Sequence, residues 1–258
     1  MGRLRMLARL AAFIVWTLAL LPIQLVLINL PGNARRRIPL LYWSGVARIL
    51  GVELDVTGTI ATDGARPVLF VANHSSWVDI VALGAVLPGC FVAKGEIARW
   101  PGINLVAKAG RTIFVSRRHG NTGRERNDMQ RRLQAGDSLI LFPEGTTSDG
   151  ARVMKFHPTF LALANDPSNP IVQPVTIVYD RMDGLPIGRR NRPRIAWYGD
   201  MDIASHYAQL GRHNWRARIV LGTPADTSRG RKALAAALES RIACEAARLR
   251  QGRSTPPG

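Results

Sequence analysis

The longest apolar stretch of the chain lies at its start. From Leu10 to Ala34 there is no charged residue, and thirteen positions between Leu10 and Leu30 are Leu, Ile, Val or Phe. About 20 such residues are enough to cross the hydrocarbon core of a bilayer. Arg3, Arg5 and Arg9 precede the stretch and Arg35, Arg36 and Arg37 follow it, so the charged flanks give no inside-versus-outside bias. Pro22, Gln24 and Asn29 offset part of the insertion energy. The pattern therefore predicts a membrane anchor, either one span or a helix broken at Pro22 that dips into one leaflet and returns. A cleaved signal peptide fits less well, because the run is long and an A-x-A site is missing.

Beyond the anchor the period switches repeatedly between helix and strand. Arg37–Leu50 has helical spacing and ends at Gly51, a natural C-cap. Val52–Val56 alternates apolar and polar residues, the mark of a half-buried strand. Val68–Ala72, Cys90–Ala93, Thr112–Val115, Ser138–Phe142 and Gln173–Tyr179 read as further strands, with Arg194–Tyr198 and Arg216–Gly222 added late. Asp79–Val86, Ile103–Ala109, Arg124–Ala135 and Phe160–Asn165 read as the helices between them. This interleaving predicts a three-layer α/β domain around a largely parallel sheet. The expected organisation is an anchor over residues 1–37, an α/β domain over 38–228, and a basic amphipathic helix with a flexible tail over 229–258.

Composition sharpens the partner. The formal charge of +17 on 258 residues calls for an anionic partner: phospholipid, acidic protein or nucleic acid. The basic stretches, Arg181–Arg194 and Arg229–Arg253, carry few aromatics to stack bases. No Walker A or G-x-G-x-x-G pattern is present, so nucleic acid and nucleotide are set aside. Two cysteines, Cys90 and Cys244, form no disulfide framework and fit a reduced setting.

Four polar blocks remain to be explained. Asn73-His-Ser-Ser-Trp-Val-Asp79 follows the strand Val68–Ala72 and sets a histidine and an aspartate five residues apart. A carboxylate that orients a histidine and steadies its charged form makes it a general base. Gly110-Arg-Thr-Ile-Phe-Val-Ser-Arg117 delivers an arginine at a strand end. Phe142-Pro-Glu-Gly-Thr-Thr-Ser-Asp-Gly150 turns sharply after another strand, and Gln173-Pro-Val-Thr-Ile-Val-Tyr179 is a fourth strand. Ligands of open α/β sheets bind at the carboxyl ends of the strands, so one pocket is expected to gather His74, Asp79, Arg117 and Glu144. Ser75 and Ser76 lie in no G-x-S-x-G elbow and read as helix caps. His119, His157, His206 and His213 have no metal-ligand spacing and read as surface or loop residues; no metal is expected.

In this order and at these intervals the blocks resemble the NHxxxxD, GxIFIxR, FPEGTRS and xPVxI motifs of the glycerolipid acyltransferases, in particular the bacterial 1-acylglycerol-3-phosphate O-acyltransferases. The resemblance covers about Tyr42 to Gly222. It implies a glycerol-3-phosphate-acyltransferase-like domain in which His74 deprotonates a lipid hydroxyl and Asp79 orients it. The hydroxyl then attacks acyl-CoA or acyl carrier protein directly, with no cofactor. It further implies that Arg117 and Lys94 meet the acceptor's phosphate, and that Glu144, Gly145, Thr146 and Thr147 belong to the acceptor-binding turn. The expected acceptor is lysophosphatidate, the expected product phosphatidic acid, and the expected place the cytoplasmic face of the inner membrane.

Thr147 departs from that pattern, since the family usually has arginine there. Losing a charge-assisted contact to phosphate costs on the order of 1.5–3 kcal/mol. Either Arg111, Arg152 or Lys155 compensates, or the headgroup is not a phosphate. A branch that acylates lyso-ornithine lipid has a similar FPEGTTSDG block, which makes that lipid the alternative acceptor.

Overall fold

A computed structural model describes residues 2–115 and 122–253. It contains seven helices, α1 (Gly2–Leu27), α2 (Ala34–Leu50), α3 (Val78–Gly84), α4 (Ile103–Ala109), α5 (Thr122–Gln134), α6 (Ile203–Leu210) and α7 (Gly230–Arg250). Its strands are β1 (Val52–Thr57), β2 (Val68–Ala72), β3 (Gly89–Lys94), β4 (Ile113–Val115), β5 (Ser138–Leu141), β6 (Ile171–Met182), β7 (Leu185–Pro186) and β8 (Trp215–Leu221). They form one sheet in the order β1-β8-β6-β2-β5-β3-β4, with β7 paired to β6. Pairing is parallel except where β6 meets β7 and β8.

Both faces of this sheet are covered, which is why its central strands read as continuous apolar runs. All five residues of β2 are buried, and alternate ones go to opposite faces. Val68, Phe70 and Ala72 meet Tyr42, Val46 and Leu50 of α2 and Val78, Val81 and Leu83 of the α3 segment. Leu69 and Val71 meet Met129 and Leu133 of α5 and Leu234, Leu238 and Ile242 of α7. The apolar stripe of α7 is thus spent on the sheet. Gln173 of β6 is fully buried, and its amide is satisfied by Ala61 N–H and the carbonyls of Thr59 and Gly222.

The helix α1 is long and apolar enough to cross a membrane. It runs unbroken through Pro22, so of the two expected forms the broken helix is not the one found. It also lies against the body along its length. Near its start Arg9 donates to the carbonyls of Gly211 and His213 and to Asn214. In the middle Trp16 donates to Tyr42 O at 3.0 Å, and near the end Gln24 donates to Ala109 O at 2.9 Å. Its outer side leaves Leu4, Leu7, Ile14, Val15, Leu18 and Val26 exposed.

Two other expectations are corrected, and one helix is new. Arg194–Tyr198 is no strand: Pro193 sits in a single 3-10 turn, Arg192–Arg194, and Ile195 and Ala196 are buried as part of a loop. Phe160–Asn165 is a 3-10 helix rather than an α-helix. The helix α6 was not foreseen, although Asp202 caps it by accepting from Ser205 N–H at 2.8 Å.

Candidate active site

The chain leaves β2 at Ala72 and enters α3 at Val78, so Asn73–Trp77 form the connecting loop at the carboxyl end of the sheet. Asn73 anchors this loop. Its side-chain amide donates to Ile177 O and accepts from Ile177 N–H, both at 2.9 Å. The β2–β6 ladder ends at Ala72 and Val175, so this side chain supplies one more rung with its own amide. Ser148 N–H and Trp197 N–H hold the carbonyls of His74 and Ser75.

His74 and Asp79 meet as the spacing implies. Nδ1 of His74 lies 2.9 Å from Oδ2 of Asp79. The same Oδ2 accepts from the N–H groups of Ser75 at 2.7 Å and Ser76 at 2.9 Å, and Oδ1 accepts from the Tyr179 hydroxyl at 2.8 Å. Asp79 is fully buried and in the first turn of α3. Four donors surround it, which compensates the cost of burying its charge. Burial, and then the neighbouring Asp79 charge, push the Tyr179 hydroxyl well above its ordinary value, so it remains a donor. The carboxylate selects the tautomer with the proton on Nδ1 and leaves the Nε2 lone pair to take a proton. The ring is held flat against Phe142, centroids 4.0 Å apart. His74 itself is only partly buried.

Glu144 braces this loop from below. Its Oε1 accepts His74 N–H at 2.6 Å and its Oε2 accepts Met154 N–H at 2.8 Å. Only 2 % of the residue is exposed. Burial raises its carboxyl to about 7, against the pull of those two N–H groups. Glu144 was expected in the acceptor-binding turn; both of its oxygens turn inward onto backbone N–H groups, one of them that of His74. Gly145 makes the turn possible with φ of 66°.

The sequence model of the acyltransferase family matches residues 53–178, which include the His74–Asp79 loop and the Glu144 turn. A lyso-ornithine lipid O-acyltransferase of Brucella abortus is 36 % identical over 253 residues, 93 % of each chain. The chain belongs to the acyltransferase family. A 1-acyl-sn-glycerol-3-phosphate acyltransferase of Neisseria meningitidis is 32 % identical over 152 residues, covering 57 % of this chain and 58 % of that one. In fold, the crystal structure of the 1-acyl-sn-glycerophosphate acyltransferase PlsC of Thermotoga maritima matches 99 % of this chain and 100 % of that chain, with a TM-score of 0.68 at 21 % identity.

The other expected site residues of this acyltransferase fall as follows. Lys94 ends β3 and is in register with Val115, the end of β4, so it stands at the carboxyl ends of the strands, as the dyad does, but two strands away from β2. Arg117 lies outside the described residues, as does His119. Thr146 and Thr147 are half-buried in the turn after Glu144. Arg111 is not free to compensate for Thr147, because it pairs with buried Asp137, which also takes Arg36 and Arg132. Arg152 and Lys155 are exposed and make no ion pair among the described residues. His206, expected at the surface, is buried on α6 and accepts from Trp77 Nε1 at 2.9 Å. His213 pairs with Asp183 at 2.6 Å. Both cysteines are free thiols. Sequence reasoning missed Tyr179 and Met154 as partners of the site. Tyr179 was legible only as the last residue of the fourth block, on the same strand face as Val175 and Ile177.

Proposed function

We propose that this acyltransferase esterifies the free hydroxyl of lyso-ornithine lipid, with an acyl thioester of acyl carrier protein or coenzyme A as donor. The observation that carries the acceptor is the end-to-end likeness to the Brucella protein named for that reaction. Thr147 supports it: a neutral hydroxyl where the resembling block has arginine suits a headgroup without phosphate.

In this reading the acceptor hydroxyl faces Nε2 of His74. The ring takes the hydroxyl proton as the oxygen attacks the thioester carbonyl. Collapse of the tetrahedral adduct forms the ester and breaks the carbon–sulfur bond, and the imidazolium returns its proton to the departing thiolate. Asp79 stabilises the imidazolium between those steps, and Tyr179, Ser75 and Ser76 keep Asp79 in place. The helix α1 supports a seat at a membrane, which we place at the inner membrane with the site on the cytoplasmic side.

Lysophosphatidate is the second reading, favoured by the four blocks and by the Neisseria relative. The purified protein would be given each lysolipid in parallel with an acyl carrier protein donor, beside a His74→Ala control. Acylation of lyso-ornithine lipid, lost in the control by about 100-fold or more, is the expected result. Turnover of lysophosphatidate alone would reverse the acceptor assignment. Equal turnover with and without His74 would remove the proposed base.

A further inference from the structure

An open cleft lies beside the His74 loop, lined by Asn73, Ser75, Tyr179, Arg152, Arg192 and Arg250 among others. The three arginines come from separate parts of the chain: the turn after Glu144, the 3-10 turn of residues 192–194, and the last turn of α7. None of them makes an ion pair among the described residues. Arg192 reaches the cleft by crossing Gly150. A Cβ there would lie 3.4 Å from its Cγ and Cδ, and Gly150 has a φ of 73° that side chains rarely adopt. Arg250 donates one N–H to Ala151 O at 2.8 Å, while its buried Nε has no partner. Burial, and then the Arg192 charge, lower the pKa of Arg250. The nearby acids do little to balance this. Glu144 is bound to backbone N–H groups, and Asp149 is exposed, with Oδ1 taken by Ala151 N–H.

Three arginines without ion-pair partners among the described residues line one cleft, with Ser75 and Ser148 beside them, a set suited to an anion. We infer that this cleft binds the anionic group of the acceptor headgroup, the carboxylate of the ornithine, and so does the work assigned elsewhere in the family to the arginine replaced here by Thr147. The inference rests on the proposed acceptor. Position links the cleft to the acceptor through Asn73 and Ser75, the chain neighbours of His74, while His74 itself is not part of its lining.

The test compares lyso-ornithine lipid, its carboxylate methyl ester and lysophosphatidate as acceptors for wild type, Arg152→Gln and Arg192→Gln. These two arginines are chosen because Arg250 is half-buried and its loss could harm folding. Wild type should prefer the free carboxylate over the ester by about 10- to 100-fold in kcat/KM, the worth of charge-assisted hydrogen bonds. In each variant that preference should shrink toward unity, mainly through a higher KM for the acid. If wild type uses lyso-ornithine lipid but the variants keep the full preference, the cleft assignment is wrong and the proposed acceptor stands. A higher KM for the acyl donor instead would also overturn it, by moving the cleft to the donor. If wild type acylates only lysophosphatidate, both the acceptor and its carboxylate receptor are overturned.

Discussion

The acidic residues of the site show how the same side-chain chemistry takes opposite roles through its partners. Asp79 accepts from four donors, one of them the His74 ring. Asp79→Asn would keep the shape, but the amide could not serve as charged acceptor to ring, backbone and tyrosine together. We expect kcat to fall on the order of 1,000-fold with near-UV circular dichroism unchanged, checked by turnover of the folded variant. Glu144 has two N–H partners and a carboxyl raised from 4.5 to about 7 by burial. A carboxyl whose pKa is raised on folding stabilises the fold below its unfolded value, and that contribution is lost as pH rises through the folded value. Here the loss falls between about pH 4.5 and pH 7 and amounts to about 3 kcal/mol. Glu144→Gln, unable to ionise, should flatten that slope. Denaturant midpoints at about pH 5 and about pH 8 would show wild type losing more stability than the variant.

At the scale of elements, much of the fold was legible and for a physical reason. Strands buried on both faces must be apolar throughout, so β2, β3, β5 and β6 were visible as runs. His74 and Asp79 were visible because five residues separate them and a loop-to-helix turn closes that gap. Their supports were not, since Tyr179 lies 100 residues from Asp79 in sequence and Glu144 lies 70 from His74. Arg194–Tyr198 misled because Ile195 and Ala196 are apolar to cover the core, not to alternate in a strand. Nothing local announces that Gly45 is a seat for Trp16, either. An alanine in a helix interior normally outdoes glycine by about 1 kcal/mol. At Gly45 the added Cβ would stand 2.3 Å from the Trp16 ring. Gly45→Ala should therefore destabilise, by about 1–3 kcal/mol, and shift tryptophan emission as α1 is pushed off α2. Thermal unfolding in detergent, followed by fluorescence, would measure both.

Over the whole molecule, two features that would draw it to a lipid surface are superimposed. One is the exposed apolar side of α1, which is indifferent to salt. The other is the net charge of +17, which acts across a Debye length that shrinks from about 10 Å at 0.1 M salt to about 3 Å at 1 M. Co-sedimentation should separate them. Retention on neutral vesicles should survive 1 M salt, while the additional retention on anionic vesicles should vanish.

The way α1 is fastened carries a consequence for where the chemistry can occur. Arg9 ties one end to the loop before β8, and Gln24 ties the other to the last residue of α4. Peeling the helix away would strand those polar groups, so helix and sheet travel together. The keel and the hull are one piece. In a membrane-seated enzyme the waterline would then be drawn by the outward side chains of α1, and the height of His74 above it would be a constant of the fold. With His74 as the proposed base, a hydroxyl would reach it only by riding at that height, so the enzyme would sort lipids by where along their length the free hydroxyl lies, before any headgroup is read.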